Sequence, residues 1–77
     1  MYVQEARQLT LEALINQVDQ ELYIKSIKKL REAASKGNRS VELNANVYAD
    51  AYTLKDIFEL QGFDVIISGY KYLYVRW

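Results

Sequence analysis

The sequence of 77 residues predicts a two-layer α+β domain in the order α-(α)-β-α-β-β. Its helices are expected on one face of a three-stranded, mostly antiparallel sheet. Three observations lead there. Apolar residues recur at steps of three and four from residue 8 to residue 36 and again after residue 46, the spacing of a helix face. Residues 39–44, 63–68 and 70–77 alternate between apolar and polar, the spacing of half-buried strands. The last two runs meet at Ser68-Gly69, a connection short enough for a hairpin. There is no proline, no repeat and no linker, so residues 1–77 read as a single domain.

The helical region 8–36 carries two apolar stripes. Leu11, Leu14, Ile15, Val18 and Leu22 form the first; Tyr23, Ile27, Leu30 and Ala34 form the second. On a helical wheel their centres lie about 130° apart. Either the helix breaks between Val18 and Leu22, or its halves pack on different things. Asp19 is placed to cap a second helix with Glu21 in its first turn, and Thr10 to cap the first. Gly37 follows Lys36 as a helix-ending glycine. The segment 8–22 is therefore a separate packing or oligomerisation element, with Leu11, Leu14, Ile15, Val18 and Leu22 as its candidate contact set.

"RSVELN" then alternates, with Val41 and Leu43 on one side. The next helix is carried by Val47, Ala51, Leu54, Ile57 and Phe58. Its start falls at Asn46, or later at Thr53 if Thr53 and Asp56 make a capping box. Gly62 ends it, and Phe63 beyond it is positioned to touch Phe58. A chain of three such strands places the last strand between the other two, order 1-3-2, with 1-2-3 as the alternative. Side chains alternate along each strand. Leu73, Val75 and Trp77 are thus assigned to the helix-covered face. Tyr70, Tyr72, Tyr74 and Arg76 fall on the open face, with Ile66 and Glu42 nearby.

Composition excludes much chemistry. Without Cys or His there is no disulfide, no thiolate nucleophile, no imidazole base and no ordinary zinc ligand set. No catalytic spacing of carboxylate, Lys, Tyr or Ser is visible, so an enzyme is not expected, and no cofactor or metal is either. Ten basic and ten acidic side chains cancel. That balance weighs against nucleic acid as partner, because phosphate neutralisation supplies most of such affinity. No signal peptide and no run of ~20 apolar residues is present, which points to a soluble, cytoplasmic protein.

"EAASKGNRSVELN" and "ELQGFDVIISGYKYLYVRW" together resemble a loose group of small bacteriophage-encoded proteins. In that group a helix runs into an EAA-x-x-G turn and a strand. A second helix then ends in a G-F step before a C-terminal aromatic hairpin. The likeness covers roughly residues 22–77 and carries no residue roles. It implies a small accessory or morphogenetic protein that acts by protein–protein interaction. By analogy, its partner would be a host factor that it inhibits.

The expected function is therefore a self-associating, non-enzymatic interaction protein. Its partner surface would consist of Tyr70, Tyr72, Tyr74, Arg76 and Ile66, residue types enriched at interface hot spots. The alternative is single-stranded nucleic acid or a nucleotide held on the same tyrosines, with Lys71 and Arg76 beside them.

Overall fold

Helix formation begins earlier than the apolar spacing indicates. The structure, a computed structural model, describes residues 1–45, 47–69 and 71–77. Its elements are α1 (Val3–Gln17), α2 (Gln20–Ser35), β1 (Ser40–Asn44), α3 (Tyr48–Leu60), β2 (Asp64–Ser68) and β3 (Tyr72–Arg76). Thr10 does not cap α1; it lies inside the helix, and its hydroxyl donates to the Ala6 carbonyl at 2.9 Å. Residues 3–9 are polar or exposed apolar, so no buried stripe marks them in the sequence.

The break falls at Val18 and Asp19, where the two stripes change phase. Val18 is extended, with ψ of 154°. Asp19 Oδ1 accepts from the Leu22 backbone N–H at 3.1 Å and caps α2 as expected. Gln20 closes the junction from the other side. Its Nε2 donates to the Ile15 carbonyl at 2.6 Å and to the Val18 carbonyl at 3.0 Å. Acceptors that the end of α1 would otherwise leave open are thereby satisfied.

Both remaining helices end on glycines with positive φ, 85° at Gly37 and 98° at Gly62. At the second, Phe63 N–H donates to the Phe58 carbonyl at 3.0 Å and Gly62 N–H to the Glu59 carbonyl at 3.1 Å. That is the Schellman pattern, completed by Phe58 and Phe63 rings whose centroids are 5.9 Å apart. The start of α3 differs from expectation. Val47 is its N-cap and is exposed, and Thr53 sits within the helix with its hydroxyl donating to the Ala49 carbonyl at 3.0 Å. Asn46, the other expected cap, lies outside the described residues.

The sheet order is β1-β3-β2, antiparallel throughout. Val41, Val75 and Val65 form one cross-strand row on the helix side; Leu43, Leu73 and Ile67 form the next. α2 lies over β1, α3 lies over β2 and β3, and α1 packs outside them against α3 and α2. The core collects Leu43, Leu54, Ile57, Phe58, Leu73 and Val75, all fully buried. Burying a side chain of this kind contributes roughly 1.5–3 kcal/mol each. In a chain this short they are the main force against conformational entropy.

The buried face of α2 runs through Leu22, Ser26, Leu30 and Ala33 rather than through Tyr23, Ile27 and Ala34. Tyr23 and Ile27 are half-buried at its margin and Ala34 is exposed. Leu22 belongs to α2, which the stripe pattern had credited to the preceding helix, and Ser26 is a polar residue on the core face. The hairpin is also longer than expected. Ser68 pairs with Tyr72, where β3 begins.

Candidate functional site

The open face of the sheet is built by alternation and register together. Three rows cross it: Ser40–Arg76–Asp64, Glu42–Tyr74–Ile66 and Asn44–Tyr72–Ser68. Because β3 is central, its tyrosines have a neighbour on each side. Tyr72 is 45% exposed, Tyr74 46% and Ile66 66%. No helix covers them, since α2 and α3 both pack on the opposite face with Val41, Leu43, Val65, Leu73 and Val75. The face is thus an aromatic and aliphatic centre inside a polar frame. Tyr70, the fifth residue expected there, lies outside the described residues.

The electrostatics of the frame are close to balanced. Arg76 Nη2 is 3.5 Å from Asp64 Oδ2 across β2 and β3, with both side chains mostly in water. Such an exposed pair is worth about 0–1 kcal/mol, so it orients the guanidinium more than it stabilises the fold. Glu42 stands opposite Tyr74 with no ion pair among the described residues. Sequence spacing identified Tyr72, Tyr74, Arg76 and Ile66, with Glu42 nearby and Asp64 on the same strand face as Ile66, but not which residue stands opposite which. Which acidic residue flanks which tyrosine depends on strand order and register, and alternation within one strand does not encode either.

The predicted oligomerisation set packs largely on the chain itself. Val18 is 3% exposed and Leu22 7%, both within the chain's own core. Leu11, Leu14 and Ile15 are half-buried against that core. The stripe is used in folding, because the kink at Val18 turns α1 back onto α3. Val18 and Leu22 are thus taken up in the chain's own core, while Leu11, Leu14 and Ile15 keep part of their surface exposed.

Trp77 is on the helix side of the sheet, as assigned, yet remains 38% exposed. Its backbone N–H donates to the Arg39 carbonyl at 2.9 Å, which extends the β1–β3 pairing by one residue. Its ring meets Phe63 edge to face, centroids 6.0 Å apart. On α3, Tyr48 and Tyr52 form a second exposed aromatic pair at 4.7 Å. A hydrogen bond between the two phenols raises the Tyr48 pKa above its ordinary value.

Among the described residues, no cluster of three or more Asp or Glu stands where it could hold a metal ion, and no helix is long and apolar enough to cross a membrane. No family model matches the chain, and neither the curated proteins nor the solved structures offer a match.

Proposed function

We propose that this is a non-enzymatic interaction protein of the small phage-accessory kind, and that Tyr72, Tyr74, Ile66 and Arg76 form its partner-binding face. One observation supports this above all: an uncovered aromatic and aliphatic centre framed by polar and charged residues. That is the anatomy of a protein interface, a desolvated anchor cluster inside a wet rim. Tyr and Arg are also the residue types that contribute most when such a face is buried.

Size sets the kind of complex. Three strands spaced ~4.8 Å apart and five residues at ~3.3 Å give a face of roughly 14 by 17 Å. This is well short of the ~800 Å² per partner typical of a stable interface. Affinity would rest on the two tyrosines and Ile66, and the partner would reach past the edges of the sheet. Self-association through the same face would be weak and concentration-dependent for the same reason.

Base stacking on Tyr72 and Tyr74 is the second reading, worth roughly 1–3 kcal/mol per base where it occurs. Glu42 and Asp64 count against it, since both place negative charge beside the tyrosines, and Arg76 is engaged with Asp64. The test is affinity capture and light scattering on wild type and a Tyr72→Ala/Tyr74→Ala double variant, with circular dichroism to verify the fold. Capture of a discrete partner, or self-association, should be lost in the double variant. Equal behaviour of both proteins removes the face from consideration. Salt-sensitive binding of single-stranded DNA would replace the protein partner with nucleic acid.

A further inference from the structure

On the side of the sheet opposite the tyrosines there is a second feature. Leu30, Arg31 and Ala34 of α2 face Phe63 and Trp77 across a hollow of about 280 Å³. Four of these five side chains are uncharged and apolar. Its aromatic wall is held in place by contact. Phe58 is fully buried, Phe63 stands edge to face on it at 5.9 Å, and Trp77 stands edge to face on Phe63 at 6.0 Å. The Schellman turn at Gly62 fixes where Phe63 enters. The wall is therefore preorganised, a condition that lowers the entropy cost of binding.

Arg31 is the single charged residue lining the hollow, and it has no ion pair among the described residues. Arg31 also borders the adjoining surface, where the acidic neighbour Glu32 lies with Lys28 and Lys36, and Glu32 makes no ion pair with it among the described residues. An unengaged guanidinium at the rim of an apolar hollow selects for an anionic head on an apolar body. Guanidinium suits a carboxylate in particular, through two parallel hydrogen bonds. The volume lies just under the ~300–1,000 Å³ of pockets for drug-sized ligands, which limits the body to one or two rings. We propose that this hollow is a binding site for a small free aromatic carboxylate, its ring against Trp77 and Phe63 and its carboxylate on Arg31. The site is independent of the tyrosine face, so either can fail without the other.

Trp77 is the only tryptophan in the chain, so its fluorescence reports on the hollow directly. The probes are phenylacetate and its neutral counterpart phenylacetamide. Phenylacetate should give a saturable change with half-saturation at about 1 mM or below, the range open to so small a ligand. The amide should bind about tenfold more weakly, the equivalent of one charge-assisted contact. Arg31→Gln, a change at an exposed position, should abolish that preference while leaving the circular dichroism spectrum intact. Ala34→Phe, which fills the hollow from α2, should remove the response to both probes. The proposal is overturned by any of three results: no saturable change up to about 10 mM, equal half-saturation for acid and amide, or a preference that survives in Arg31→Gln.

Discussion

Leu22→Ala separates a residue that folds this chain from one that joins two chains. Leu22 lies in the first turn of α2, 7% exposed and part of the core cluster with Val18, Leu43 and Leu54. Truncation to Ala removes three side-chain carbons. At ~0.8 kcal/mol per buried methylene, the transfer term alone is about 2.4 kcal/mol. An unfilled cavity raises the total into the range of roughly 2–5 kcal/mol. A domain of this length has only about 4–12 kcal/mol to lose. With a urea m-value near ~1 kcal/mol/M, the midpoint should fall by about 2–5 M. The assay is urea unfolding followed by far-UV circular dichroism, repeated over a hundredfold range of protein concentration. A residue in the monomer core gives the same loss at every concentration, whereas one at a subunit contact gives a loss that depends on concentration. A loss under about 1 kcal/mol, or a midpoint difference that moves with concentration, would refute the placement of Leu22 in the chain's own core.

Three further outcomes follow from the same structure. Asp19→Ala removes the cap on Leu22 N–H and should cost about 1 kcal/mol in the same urea assay; no change would mean the junction is held by Gln20 alone. Gly62→Ala meets no atom within 4 Å, so its cost is the left-handed backbone at φ of 98°, about 1–2 kcal/mol. A neutral result there would show that residue 62 can relax without breaking the Phe58–Phe63 contact. Lys55 donates to Glu59 at 2.8 Å, and this bond holds its pKa above the ordinary 10.5. A raised folded-state pKa gives stability that is fully present below 10.5 and lost as pH rises through the folded value. Lys55→Gln should therefore be the less stable protein at neutral pH, with the gap narrowing above pH 10.5; a gap constant with pH would exclude the ion pair as its cause.

Much of this fold is local physics and was legible residue by residue. Alternation in "YLYVR" sends Leu73 and Val75 inward and Tyr72 and Tyr74 outward without reference to any other strand. The Asp19 cap and the Gly62 ending are read from single residues with one conformational use each. The change of stripe phase left two alternatives, a break between Val18 and Leu22 or two halves packed on different things, and the chain takes the break. The candidate site was legible to the same extent: its tyrosines, Ile66 and Arg76 were identified by parity alone.

What the sequence left open is everything that depends on what an element meets. Leu11, Leu14, Ile15, Val18 and Leu22 form an apolar stripe whether they cover a neighbouring helix or a second molecule. Only the kink at Val18, which lets α1 pack on α3 while α2 packs on β1, puts Val18 and Leu22 in the core and Leu11, Leu14 and Ile15 against it. Register across β1, β3 and β2 is a non-local choice, and it alone sets Asp64 beside Arg76 and Glu42 beside Tyr74. The hollow under Trp77 has no counterpart in any sequence pattern. It forms because Phe63 and Trp77, 14 positions apart, meet across the hairpin while α2 stops short of covering them. Sequence by itself determined which way each strand side chain faces, because that follows from backbone geometry within one element. Tertiary structure decided which faces are left uncovered, because that depends on how much apolar surface the neighbouring elements bring to meet them.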